Sequence, residues 1–96
     1  MAEEGRFDVL IQDWNKGRQL LIEAKTAFKG LGGRAQVRQA IGQLFDYRFT
    51  YLSPKKTDLA VLVPTEPSAA VKNLLKSLGI EVLWFRGKHV CGTVEL

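Results

Sequence analysis

From Phe7 to Asp13 the chain alternates, with Phe7, Val9 and Ile11 on one side and Asp8, Leu10 and Gln12 on the other. Period-two alternation is the pattern of a strand with two unlike faces. Trp14-Asn15-Lys16-Gly17 supplies a turn, with Asn and Gly suited to positive φ, and Arg18 to Lys25 returns as a second strand, so the segment reads as a β-hairpin. A slip of one residue would move a whole set of side chains to the opposite face. Burial of apolar area therefore selects the register in which Phe7, Val9 and Ile11 share a surface with Leu20, Ile22 and Ala24, which places Asp8, Glu23 and Lys25 together on the other face.

After this hairpin the period changes. Thr26 to Gly33 is a loop, because Gly30, Gly32 and Gly33 stand too close together for a regular element; the glycines offer an anion-binding nest, but no phosphate-loop pattern accompanies them. From Arg34 to about Tyr51, Val37, Ala40, Ile41, Leu44, Phe45 and Phe49 recur at three- and four-residue steps, the stripe of a helix packed on a core. Its flank carries Gln36, Gln39, Gln43 and Tyr47, with Arg34, Arg38 and Arg48 beside them. Ser53-Pro54-Lys55-Lys56-Thr57 ends the helix as a basic loop, and Leu59-Ala60-Val61-Leu62-Val63 is the continuous apolar run of a strand buried on both faces. Pro64 to Ser68 opens a second helix, with Thr65 or Ser68 as its cap, a buried stripe of Ala70, Val71, Leu74, Leu75 and Leu78, and Gly79 as terminator. Ile80 to Phe85 is the next strand, Arg86-Gly87-Lys88 a turn, and His89 to Leu96 a last strand at an edge. The strand-helix-strand unit in the second half calls for parallel strands joined by a right-handed crossover. The expected architecture is one α/β domain over residues 1–96, a mixed sheet in the order β-β-α-β-α-β-β flanked by two helices.

Composition narrows the class. With 96 residues, 46% hydrophobic and 25% charged, the chain has the make-up of a single folded domain. A net charge of +4 suits a polyanionic partner without requiring one. Cys91 stands alone, so neither an intrachain disulfide nor a thiolate zinc cluster can form, and a reducing, cytoplasmic setting is expected. Met1 to Arg6 has acidic residues and no apolar core of a leader, and no run approaches the roughly 18 apolar residues of a membrane span.

Two readings of Glu23 and Lys25 are open on this pattern. A strand emerging into solvent carries such a pair as ordinary surface charge, in an α/β interaction domain with no site at all. With Asp8 beside it, however, Glu23 forms an acidic pair whose members repel and raise one another's pKa unless a cation neutralises them, which suggests a divalent metal. His89, the single histidine, lies far along the chain from this set and reads as structural, and Cys91 as a small apolar residue. Trp14 and Trp84 are candidates for base stacking, although Trp84, inside Val82-Leu83-Trp84-Phe85, reads as core.

The ordered set of Asp8, Glu23-Ala24-Lys25 on a hairpin and a following helix resembles the PD-(D/E)XK nuclease superfamily, whose core is a mixed sheet with a hairpin bearing an Asp and a (D/E)-x-K. Gly5-Arg6-Phe7-Asp8 is similar to the G-x-x-D signature of its RecB-like branch, and Gln43-Leu44-Phe45-Asp46-Tyr47 to the Q-x-x-x-Y motif on the next helix. The likeness runs from about Phe7 to Val63. It implies a restriction-endonuclease-like fold and a metal-dependent DNA nuclease, an endonuclease in expectation. Asp8 and Glu23, with the Ala24 carbonyl, would hold Mg²⁺, with Mn²⁺ as substitute. Lys25 would orient or help deprotonate the attacking water, and Gln43 and Tyr47 would support the site. Arg34, Arg38, Lys55 and Lys56 would contact phosphates or serve as plain surface charge.

The sequence departs from that family at its start. Members carry a helix and a strand before the Asp strand, with a Glu on the helix, whereas Met1 to Arg6 offers only Glu3 and Glu4. The chain is then a minimal variant, part of a larger protein, or one completed by another subunit, and a homodimer is expected because the uncovered sheet would expose apolar area. The rival is a non-catalytic nucleic-acid-binding or assembly module that keeps the nuclease fold without turnover.

Overall fold

A computed structural model of the chain describes residues 7–25 and 34–95, with Phe7 and Asp8 as backbone only. The elements follow as β1 (Phe7–Asn15), β2 (Arg18–Ala24), α1 (Arg34–Tyr51), β3 (Thr57–Val63), α2 (Ala69–Ser77), β4 (Ile80–Arg86) and β5 (His89–Gly92). The five strands form one mixed sheet in sequential order, β1-β2-β3-β4-β5. The outer pairs β1/β2 and β4/β5 are antiparallel, while β2/β3 and β3/β4 are parallel. Each parallel join contains a helix, as a chain returning to the same end of the sheet requires.

The hairpin adopts the register that apolar pairing selects. Phe7 lies opposite Ala24, Asp8 opposite Glu23, Val9 opposite Ile22 and Ile11 opposite Leu20. The turn differs in detail from the expectation for Asn15, since the two positive-φ residues are Lys16 (52°) and Gly17 (83°). Strands with right-handed twist favour a two-residue turn of this hand. Asp13 also takes positive φ (51°), within the register shift between Ile11 and Asn15, and its Oδ1 accepts the Gly17 N–H at 2.8 Å.

Both helices pack on the same face of the sheet. That core joins Leu21 of β2, Leu59, Val61 and Val63 of β3, and Ile80, Val82 and Trp84 of β4 to Val37, Ala40 and Leu44 of α1 and Val71 and Leu75 of α2. The opposite face buries a smaller cluster, Leu20, Ile22, Ala60 and Leu83, packed by Ile11, Trp14, Leu62 and Val94. The sheet curls far enough for Glu95 to share a cleft with residues Ile11 to Trp14. The arrangement of faces is the main difference from the sequence expectation. The surface that includes Val9 does not carry the helices, Val9 is 43% exposed, and the helix layer covers the face of Glu23 and Lys25.

Several smaller expectations resolve. Ser68, not Thr65, caps α2, its Oγ accepting the Val71 N–H, and Leu78 is exposed at the C-cap rather than part of the buried stripe. Phe49, expected on the core stripe of α1, is 81% exposed, and Ala70 is exposed on α2. The last strand stops at Gly92 instead of Leu96. There Thr93 bonds back to β4, its N–H donating to the Val82 carbonyl and its Oγ1 accepting the Val82 N–H, both at 3.0 Å. Among the described residues, no helix is long and apolar enough to cross a membrane.

Candidate functional site

The site is built at the C-terminal end of β2. Leu20, Leu21, Ile22 and Glu23 are all buried, the first three by apolar packing on the two faces, and Glu23 is carried under the helix layer to 2% exposure. Lys25 follows two residues later on the same side, held in the sheet by its backbone N–H to the Leu62 carbonyl at 2.9 Å. Its side chain is 13% exposed, and the ammonium stands 3.5 Å from Glu23 Oε2. A buried carboxylate is tolerated where a cation offsets the desolvation of its charge.

The third member arrives from α1. Lys25 Nζ donates to Gln43 Oε1 at 2.9 Å, so a side chain 18 positions away holds the ammonium beside Glu23. Leu44, the residue after Gln43, is 1% exposed on the core face, and this fixes the helix rotation so that Gln43 meets β2. Tyr47, four positions on, falls on about the same flank, within about 40° at 3.6 residues per turn. It is 37% exposed, with its ring centroid 4.9 Å from that of Tyr51. Asp8 reaches the site through backbone register alone, as the cross-strand partner of Glu23.

The remaining candidates lie elsewhere. Arg34 and Arg38 are exposed on α1, nine and five positions before Gln43, which turns them about 180° and about 140° from it. Lys55 and Lys56 are exposed in the loop before β3, whose first residue Thr57 pairs with Gln19. That is six residues before Lys25, or roughly 20 Å along the strand. His89 is exposed on β5, three strands from β2, and Cys91 is half-buried opposite Trp84. Trp84 is core, 8% exposed, with Lys72 Nζ 4.8 Å from its ring centroid. The loop at 26–33, the G-x-x-D glycine at position 5 and Glu3 and Glu4 lie outside the described residues.

A second polar cluster, at the other end of β2, had no counterpart in the sequence patterns. Asp58 accepts Arg18 Nε at 2.9 Å and Arg18 Nη2 at 2.7 Å, and the Trp14 indole N–H donates to it at 3.0 Å. The Arg18 hydrogen bonds hold the Asp58 carboxyl below its ordinary pKa, against the opposing effect of burial, and Trp14 adds to the lowering. Pairing with Asp58 raises Arg18 in turn. This network ties the hairpin to β3 and is structural. On α1, Gln36 lies two turns before Gln43 on the same flank, and its Oε1 is buried without a hydrogen-bond partner among the described residues. Tyr51, in ring contact with Tyr47, is the further residue of this flank that motif reading missed; its signal was the four-residue step from Tyr47.

The residues that could hold a hard divalent cation are oxygen donors of β1 and β2. Glu23 is a buried carboxylate, Asp8 stands in register across from it, and Ala24 carries a backbone carbonyl between Glu23 and Lys25. Magnesium takes few protein ligands and keeps several waters, so it does not demand a dedicated cage of side chains. No group of three or more His, Cys, Asp or Glu side chains converges among the described residues. In comparison with known proteins, no family model matches the chain, and no curated protein or solved structure gives a significant match.

Proposed function

We propose that the protein is a metal-dependent deoxyribonuclease, an endonuclease of the PD-(D/E)XK type with a restriction-endonuclease-like fold. The observation that carries this reading is the convergence of Glu23, Lys25 and Gln43, with Lys25 Nζ 3.5 Å from the buried carboxylate and 2.9 Å from the amide oxygen. Motifs separate in sequence meet at one point, with Asp8 in register beside them. The sequential mixed sheet, with its hairpin bearing Asp8 and Glu23-Ala24-Lys25, supports the same reading.

In this site Asp8, Glu23 and the Ala24 carbonyl would hold Mg²⁺, or Mn²⁺ in its place. When bound, the ion would supply charge stabilisation at the scissile phosphate and activation of the attacking water. Gln43 fixes the Lys25 ammonium, so that its charge is positioned for a phosphate oxygen or a water and does not sweep through solvent. Burial under α1 strengthens these interactions by lowering the local dielectric. Lys55, Lys56, Arg34 and Arg38 lie away from the reacting centre and are assigned to distant phosphate contacts.

The test incubates wild type, Glu23→Gln and Lys25→Ala with plasmid and linear DNA, with Mg²⁺ or Mn²⁺ and with EDTA. Wild type is expected to cut in either metal and to stop in EDTA, and each variant to lose at least about 100-fold in rate, the scale of a lost electrostatic group at a reacting centre. Cleavage that survives in Glu23→Gln refutes the assignment. The homodimer belongs to the same proposal. The helix-free face leaves Val9, Phe85 and Val90 exposed, and a monomer in sedimentation at micromolar concentration would remove it.

A further inference from the structure

The helix layer stops short of β1. Leu10 and Leu21 are directly opposed on the helix-facing side of the hairpin, yet Leu21 is 2% exposed and Leu10 36%. The flank of α1 that meets Lys25 of β2 carries Gln43, Tyr47 and Tyr51, one turn apart each, and this is the helix edge on the β1 side of Leu21. The two tyrosine rings lean on one another at 50° between planes, and the outer one, Tyr51, remains 69% exposed. The opening is therefore polar at one end, where Lys25 and Gln43 meet, and apolar at the other, where Leu10, Tyr47 and Tyr51 are uncovered. Exposed Lys55 and Lys56 follow shortly after the end of α1.

We infer that this opening is a stacking subsite for an unpaired polynucleotide strand, with Tyr51 and Tyr47 taking bases while the backbone runs toward Lys25 and Gln43. The inference rests on the nuclease reading for the identity of the polar end, and it adds the class of substrate. Aromatic faces beside a cation are the combination that binds single strands, because every base offers a π-face and every linkage a charge. A duplex cannot use it, since its bases are stacked internally and present only their edges. Charge favours this occupant over a basic or apolar protein segment, and the aromatic faces favour it over an acidic one. Asp46 is the single acid of α1, with Thr50 Oγ1 donating to it on the exposed side, and the loop beyond Tyr51 carries exposed Lys55 and Lys56.

Tyr51 is the residue to test, because it is exposed and lies outside the Glu23, Lys25 and Gln43 contacts. Binding of a fluorescein-labelled mixed-sequence single strand and of the matching duplex is followed by anisotropy on the full chain in EDTA. Cleavage of both is followed with Mg²⁺ and Mn²⁺. Wild type is expected to bind the single strand several-fold more tightly than the duplex. Tyr51→Ala is expected to weaken single-strand binding on the order of tenfold. Tyr51→Phe keeps it, duplex binding is unmoved, and circular dichroism shows the variants folded. Equal affinity for the two forms, or an unchanged Tyr51→Ala, overturns the subsite even where DNA is cut, in which case hydrolysis stands. Single-strand binding that depends on Tyr51 without cleavage in any metal upholds the subsite and removes the nuclease. Neither binding nor cleavage overturns both.

Discussion

Replacing Gln43 by Leu tests the contact that unites the site. Lys25 Nζ has Gln43 Oε1 at 2.9 Å and Glu23 at 3.5 Å, in a position where the lysine side chain is only 13% exposed. A hydrogen bond from a charged donor is worth about 1.5–3 kcal/mol when its partner is deleted without replacement. The ammonium keeps Glu23 and some water, so the expected loss is at the low end, about 1–2 kcal/mol. In a domain of this size each kcal/mol moves Tm by roughly 4–8 °C, which gives a fall of roughly 4–16 °C. Leu also adds apolar area at a helix edge, and a double-mutant cycle with Lys25→Met removes that contribution. Stability is measured by urea denaturation followed by circular dichroism for wild type, both single variants and the double variant. A coupling of about 1–2 kcal/mol is expected. Additive single effects, with coupling below about 0.3 kcal/mol, would refute the claim that Lys25 and Gln43 act as one unit.

Three other perturbations address the fold that holds the site. Leu44→Ala empties a position 1% exposed in the core beneath Gln43 and is expected to cost about 2–5 kcal/mol in denaturant titration, because α1 loses its seat on β2. Gly92→Ala would drive a Cβ to 2.7 Å from the Leu83 side chain and closer still to the Val82 carbonyl, so β5 should detach at its end and backbone amides there should exchange faster. Asp58 has a lowered pKa in the folded protein, so its contribution is present above the ordinary carboxylate value, about 3.9, and is lost as pH falls through the lowered one. Asp58→Asn should therefore be less stable at neutral pH and show a shallower fall in stability below about pH 4; an unchanged acid limb would contradict the pairing with Arg18.

Much of the site's local geometry was legible along the chain. The alternation of Phe7 to Ile11 and the apolar run of β2 set the hairpin register, since a slip of one would have moved Val9 and Ile11 away from Ile22 and Leu20 to the face of Leu21 and Glu23. That register alone put Asp8 opposite Glu23. The helical step set the flank of Gln43 and Tyr47 in the same way. What the chain did not disclose was which face of the sheet the helices would cover. Leu20, Leu21 and Ile22 are all buried, so β2 offers an apolar surface on each side, and the choice depends on where β3 and β4 accept α1 and α2.

That choice changed the meaning of the charged pair. With the helices on the Glu23 face, a pair that resembled an exposed strand end became a buried one held by α1. Phe49 stays in solvent because it lies about 140° around α1 from buried Leu44 and turns away from the sheet. Lys55 and Lys56, grouped by charge with Arg34 and Arg38, proved to lie at the far end of β2, since parallel pairing puts the start of β3 beside the start of β2. The sequence by itself determined periodicity, strand register and the spacing of residues along each element, all properties of neighbours within a few positions. The tertiary structure decided burial, the meeting of Lys25 with Gln43 and the opening beside Leu10, because these depend on which distant surfaces exclude water together.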